Sequence, residues 1–210
     1  MKHVYLDLWQ TRAEHPFPGL TTHAYLLIRD AGNVLFYNTG HTDELEHMRE
    51  LGGVARQYLS HRDEVGSSLT RIRRMFGANL YCHRVEEEAV REVTPADSTF
   101  ESRQVHPGGI EVIPTPGHTP GSTCFLVKSP HQKTYLFTGD TIYIGDDGSW
   151  RNGFLPGMSN KPDLVESLRL LRKLEPDVVI SSATGGRYPY REVGPGAWQL
   201  AVDEALAPLL

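Results

Sequence analysis

Residues 114–125, "PTPGHTPGSTCF", begin with three prolines and two glycines in eight positions. No helix passes through such a stretch. Each proline removes a backbone donor and fixes φ, and each glycine opens conformations closed to other residues. The chain must arrive as a strand, turn sharply and leave as another strand. His118 is caught at the tip, between Pro116-Gly117 and Pro120-Gly121, with Thr119 directly after it. The plan recurs twice. "ARQYLS", 55–60, runs into His61, Arg62, Asp63 and Glu64, and "YLFTGDTIY", 135–143, passes Thr138-Gly139 to put Asp140 at a strand mouth. Three strand ends each carry side chains able to bind a metal or a proton. Polar groups on loops at the ends of rigid strands are how folds usually build sites.

The remaining pattern places these three loops in a mixed architecture. "HVYLDLW", 3–9, alternates and reads as one strand. "HAYLLIRD", 23–30, and "NVLFYN", 33–38, form a hairpin across Ala31-Gly32. Helices are predicted over 42–52, 65–76, 84–93, 161–176 and 194–210, and strands over 55–60, 78–83 and 177–181. Residues 98–117 read as two β segments around Pro107-Gly108-Gly109, and 122–129 with 133–139 as a hairpin. Residues 144–160 read as a Gly- and Asp-rich loop. Hairpins come first, then strand–helix units, hairpins again, and helix–strand–helix. No repeat of 20–50 residues interrupts that order. Residues 1–210 are expected to form a single α/β (α+β) domain of two sheets covered by helices.

Bulk properties narrow the partners. A chain of 210 residues is long enough to bury a core without staples. A formal charge of −5 argues against a nucleic-acid binder, which usually carries a basic face. No apolar run approaches the roughly 20 residues of a membrane span. The start, "MKHVYLDLWQ", carries Asp7 and lacks the apolar core of a signal peptide, so a cytoplasmic protein is expected. Cys82 and Cys124, in no CxxC pattern, read as two buried free thiols.

Five segments in order resemble the metallo-β-lactamase superfamily of metal-dependent hydrolases. "LFYNTG", 35–40, is similar to its Asp-Thr-Gly loop, with Asn38 in the Asp position. "LSHRDEVG", 59–66, stands where the family has His-x-His-x-Asp-His. "TPGHTPGS", 115–122, is close to its Gly-His-Thr-x-Gly-Ser loop. "FTGDT", 137–141, looks like the loop of the bridging Asp, and "EPDVVISSATGG", 175–186, like the approach to the last His. The separations agree as well: 57 residues from His61 to His118, 22 to Asp140 and 44 to Thr184. The resemblance implies the four-layer αββα sandwich of that family.

The departures shape the function it implies. With His61 as the first motif histidine, the second falls on Asp63, the motif Asp on Val65 and the final His on Gly66. The family's last His falls on Thr184, or on Ala183 with a shift of one. The resemblance therefore leaves His61, Asp63 and His118 as ligands of one metal, with Asp140 as a fourth, and Asp140 alone for a second. One divalent ion is expected, zinc first, with iron or manganese as alternatives. Asp140 and Glu64 are the expected catalytic carboxylates. His41, His23, Thr184, Trp150 and Arg151 are the expected residues of the substrate pocket. The function implied is mononuclear hydrolysis of a small ester, thioester, lactone or amide by metal-activated water. Two alternatives stand beside it: a non-catalytic binder of a small molecule or protein, and a mono-iron dioxygenase-like enzyme. The partners implied are a small-molecule substrate, no nucleic acid and no membrane, with a homodimer allowed.

Overall fold

The computed structural model describes residues 1–210. Their contacts divide the chain into two compact units, Met1–Glu14 with Thr22–Glu101, and His15–Thr21 with Ser102–Leu210.

The elements of the first half run β1 (Lys2–Tyr5), β2 (Leu8–Gln10), β3 (Thr21–Thr22), β4 (Tyr25–Leu27), β5 (Val34–Phe36), α1 (Thr42–Glu50), β6 (Arg56–Tyr58), α2 (Ser68–Phe76), β7 (Asn79–His83), α3 (Glu87–Arg91) and β8 (Ser98–Phe100). The first unit is a seven-stranded sheet ordered β1-β2-β4-β5-β6-β7-β8. Pairing is antiparallel through β5 and parallel from β5 to β8. The change of direction follows from the connections. Short turns join antiparallel neighbours, whereas α1, α2 and α3 each provide the long crossover that parallel neighbours need. Leu69 of α2 and Val90 of α3 pack with Leu59, Leu80 and Cys82 in one buried cluster.

The second half continues with β9 (Gln104–His106), β10 (Ile110–Pro114), β11 (Thr123–Lys128), β12 (Thr134–Gly139), β13 (Ile142–Ile144), β14 (Trp150–Asn152), α4 (Lys161–Leu171), β15 (Val178–Ser181), β16 (Ala183–Thr184), β17 (Tyr190–Glu192) and α5 (Ala197–Leu206). Its main sheet has six strands, ordered β17-β15-β12-β11-β10-β9. Only β12 and β15 run parallel, joined by the crossover that contains α4. Asn160 caps α4 by accepting from Asp163 N at 3.1 Å, with Pro162 in the first turn. Leu164, Leu168 and Leu171 of α4 and Trp198, Ala201 and Val202 of α5 are buried with Ile113, Cys124, Leu136 and Val179. The Trp198 indole donates to Leu171 O at 2.8 Å, so the one polar atom of that ring is satisfied in the core.

The mixed α/β architecture expected from the pattern is present, with differences that have physical causes. Residues 3–9 are a hairpin instead of one strand, with His3 opposite Trp9. Asp7 is buried at the turn, where Arg29 Nη1 reaches its carboxylate at 2.5 Å, a long-range partner that local alternation does not reveal. The helix expected from 65 begins at Ser68, after a single 3₁₀ turn over Arg62–Glu64. The stretch 144–160 is not all loop: Trp150–Asn152 pairs antiparallel with Ile142–Ile144. Both cysteines are free and buried, and burial pushes each thiol up to about 12. No helix is long and apolar enough to cross a membrane.

Leu168 is fully buried in the α4–α5 cluster, whereas Leu200 on α5 is 71% exposed. Leu168→Ala should lower the unfolding free energy by about 2–5 kcal/mol in a denaturant titration. Leu200→Ala should change it by no more than about 0.5 kcal/mol. Equal effects would refute this assignment of the core.

Candidate functional site

His118 sits on the loop between β10 and β11, and the backbone there leaves little freedom. Thr115 N donates to Ser122 O at 2.7 Å and Gly117 N to Thr119 O at 3.1 Å, closing the turn on itself. Gly117 has φ of 137°, and a Cβ there would lie 2.4 Å from Leu164 Cα. Only glycine lets the loop rest on the first turn of α4 this closely. The α4 segment grips it in return: Asn160 N donates to Gly117 O at 2.8 Å, and the Ser167 hydroxyl to Pro116 O at 2.7 Å.

The His118 ring is held just as tightly. Nδ1 lies 2.6 Å from Gly153 O. A carbonyl can only accept, so Nδ1 carries a proton, and in the neutral ring the lone pair is on Nε2. Nε2 is 3.8 Å from Asp140 Oδ2. Gly153 also fixes the backbone behind Asp140, because a Cβ on it would come within 2.0 Å of Asp140 O. The carboxylate of Asp140 accepts at Oδ1 from the Ser182 hydroxyl. Ser182 follows β15, whose Ser181 lies opposite Gly139 on β12. Asp140 and Ser182 thus leave adjacent parallel strands side by side.

The first unit repeats this chemistry with different residues. His61 is buried, and its Nδ1 lies 2.8 Å from Ser60 Oγ. The Ser60 hydroxyl spends its one proton on Glu64 Oε1. Ser60 Oγ must therefore accept from His61, which again puts the proton on Nδ1 and a lone pair on Nε2. That Nε2 is 3.8 Å from Asp63 Oδ2. Glu64, expected as a catalytic carboxylate, is instead placed on the Nδ1 side of the ring. It also accepts from Ser60 N at 2.8 Å, and its side chain is only 8% exposed. Its geometry suits orienting His61 rather than touching a substrate.

Asn38 lies beside this loop with its amide engaged at both ends. Nδ2 donates to Glu64 O at 2.9 Å, and Oδ1 accepts from Ser68 Oγ at 3.0 Å and Gln57 Nε2 at 3.3 Å. A Cβ on Gly66 would lie 3.4 Å from Asn38 Nδ2, so the amide fills the space beside that glycine.

The remaining expected pocket residues fall in several settings. Trp150 is buried, with its ring edge-on to Trp198 at 5.9 Å and the Arg191 guanidinium over it at 5.3 Å. Its ring is committed to the core, which corrects the expectation that it faces a substrate. Thr184 is fully buried and donates to Ile144 O at 2.8 Å, so its hydroxyl pins a loop. His23 Nδ1 bonds Thr11 O at 2.8 Å and His41 Nε2 bonds Ala13 O at 3.1 Å. Both anchor the chain between β2 and β3. Arg151 is half exposed and reaches Asp147 at 3.1 Å. Hydrogen bonds from Ser149 and Arg151 draw the Asp147 carboxyl down to about 2.

Four residues here had no sequence signal of their own: Ser60, Gly153, Ser182 and Tyr143. Tyr143 pairs across the β13–β14 ladder with Arg151. Burial pushes its phenol above the usual value, the Arg151 charge opposes this, and Asp140 adds to the rise.

Each half thus presents an imidazole Nε2 lone pair beside a carboxylate oxygen, with the far nitrogen secured. That is the donor chemistry of a divalent metal centre, in which a ligating histidine donates its other N–H to a fixed acceptor. Bonds of about 2.0–2.1 Å at tetrahedral angles put ligand atoms roughly 3.3 Å apart. Each 3.8 Å pair needs only a small adjustment to fit.

Comparison with known proteins agrees with this chemistry. A family model described as the metallo-beta-lactamase superfamily matches residues 39–183. An N-acyl homoserine lactonase, AttM, from Agrobacterium fabrum is 41% identical over 66 residues, which is 31% of this chain and 24% of that protein. A hydroxyacylglutathione hydrolase from Buchnera aphidicola is 39% identical over 69 residues, 33% of this chain and 23% of that protein. The matched stretch therefore spans about a quarter of either relative's length. A solved metallo-beta-lactamase structure from Pontibacter korlensis superposes with a TM-score of 0.77 at 20% identity, covering 99% of this chain and 97% of that one. At that identity the likeness shows the fold.

Gly153→Ala should lower stability by about 1–3 kcal/mol, because the new methyl meets the Asp140 carbonyl. Ring ¹⁵N signals of His118 should lose the Nδ1–H pattern at the same time. Native stability with unchanged ring signals would sink the proposed junction.

Proposed function

The chain belongs to the metallo-β-lactamase superfamily, and on that premise we propose that it is a mononuclear metal-dependent hydrolase working as one domain over residues 1–210. In this reading His61, Asp63 and His118 hold one divalent ion, zinc first and iron or manganese as alternatives, with Asp140 as the fourth group. The observation that carries it is the pair of Nδ1–H histidines, each offering Nε2 at 3.8 Å from an aspartate oxygen. A single ion is supported by the neighbourhood of Asn38. Its amide is spent on Glu64 O, Ser68 and Gln57, and Val65 packs toward Leu59 and Leu69. Neither residue is left to serve as a ligand for a second ion.

When bound, such an ion lowers the pKa of a coordinated water to about 7 and polarises a carbonyl oxygen. The side chains supply the rest. Ser60 and Glu64 keep His61 in the tautomer that donates Nε2, and Gly153 does the same for His118. Asp140 offers Oδ2 toward the ion as the fourth group, with Oδ1 held by the Ser182 hydroxyl.

The relatives' names, an N-acyl homoserine lactonase and a hydroxyacylglutathione hydrolase, support the proposed substrate class. A small ester, thioester, lactone or amide is proposed. Arg151 is proposed for the substrate pocket, with its charge offset by Asp147 at 3.1 Å. Two free buried thiols support a cytoplasmic setting.

Elemental analysis of protein purified without chelators should find about one equivalent of metal per chain. His118→Ala and Asp140→Asn should each cut hydrolysis of an ester, thioester and lactone panel by at least about a hundredfold, with native circular dichroism. No bound metal at micromolar excess would sink the reading. Stabilisation by a small molecule that chelator leaves unchanged would favour a non-catalytic binder instead.

A further inference from the structure

Asp140 has two carboxylate oxygens in different surroundings. Oδ2 faces His118 Nε2 at 3.8 Å. Oδ1 accepts the hydroxyl proton of Ser182. Ser182 is 5% exposed, and its own backbone is fixed, with N donating to Gly139 O at 3.1 Å. The two residues leave the ends of the parallel neighbours β12 and β15, where the ladder register shifts between Phe137 and Gly139. At that irregular end the side chains of Asp140 and Ser182 meet. The bond thus joins two rigid strand ends rather than two mobile loops.

A carboxylate that rotates freely about its last bond presents either oxygen, or both, to a cation. One whose Oδ1 is held by a buried donor presents a single oxygen in a single direction. We infer, resting on the mononuclear reading above, that Ser182 is a positioning residue: its hydroxyl holds Asp140 Oδ1 so that only Oδ2 is offered to the ion. Ser182 touches neither substrate nor ion. It acts through Asp140, as second partners of metal ligands do, and losing such a partner costs about 10–100-fold in affinity. The hydroxyl, not the volume, carries the effect.

The experiment is Zn²⁺ titration of apo wild type, Ser182→Ala, Ser182→Val and Ser182→Thr against a chromogenic chelator, with thermal unfolding of each apo protein. Ala removes the donor, Thr keeps the hydroxyl, and Val has the shape of Thr with neither a donor nor a zinc-binding atom. Ala and Val should lower zinc affinity by about 10–100-fold at unchanged stoichiometry, while Thr stays within about threefold of wild type. On an Asp140→Asn background, Ser182→Ala should cause no further loss, since the two act as one unit. Wild-type affinity in Ala and Val overturns the inference, and so does a Thr variant as weak as Ala or additive loss in the double variant. If Ala alone fails to fold, Val decides. If both fail, Ser182 belongs to the fold and the inference is overturned. A wild type that binds no zinc, iron or manganese removes the mononuclear reading along with it. A wild type that binds one ion beside an unaffected Ser182→Ala removes the role of Ser182 alone.

Discussion

The hydrogen bond from His118 Nδ1–H to Gly153 O, 2.6 Å long, is the constraint on which the second half of the molecule is arranged. It decides which ring nitrogen keeps its lone pair, and it ties the β10–β11 loop to the far end of the β13–β14 hairpin. Gly153 can accept that bond only by pressing its Cα against the Asp140 carbonyl, where no Cβ has room. One glycine thus places a histidine and an aspartate together. The close approach of α4 to Gly117 serves the same end from the other side, since it fixes the loop from which His118 projects. Burial of Leu164 and Leu168 stabilises α4, and α4 in turn stabilises the loop.

The first unit solves the same problem without a glycine. There the acceptor for Nδ1–H is the Ser60 hydroxyl, made a better acceptor because its own proton is given to Glu64. In both units the physical requirement is identical. A neutral imidazole offers one lone pair in a chosen direction only if the other nitrogen is occupied by an acceptor. Two unrelated local solutions to that requirement, each with a carboxylate oxygen at 3.8 Å from Nε2, are hard to explain as hydrogen-bonded strand ends alone. Asn38 marks the opposite tendency. Its amide is fully engaged within the protein and acts as a strut between β5 and the His61 loop.

Much of this was legible from residue order. The three strand-end loops, the helix over α4, the hairpin after residue 122 and the buried strand at 178 all follow from local periodicity and from Pro and Gly placement. The positions of His61, Asp63, His118 and Asp140 at strand mouths were legible for the same reason. Trp150 could not be placed because a short Gly-rich stretch has no periodicity to reveal β14, and so no sign that the indole turns into the core beside Trp198. The partners of Glu64 were not legible from its neighbours in sequence. Its hydrogen bonding depends on a serine four positions earlier and on which nitrogen that serine faces.

What the sequence determined by itself is the set of chemical groups and the loops that carry them, because proline, glycine and alternation act through the backbone within a few residues. What only the tertiary structure decided is the state and direction of those groups. The tautomers of His61 and His118 depend on Ser60 and Gly153, and the Asp140 carboxylate is held at Oδ1 by Ser182, 42 residues away. Hydrogen bonds between strand ends are made by folding and leave no periodic trace in the chain. A histidine or aspartate can therefore be read from its letter, while the atom it offers cannot.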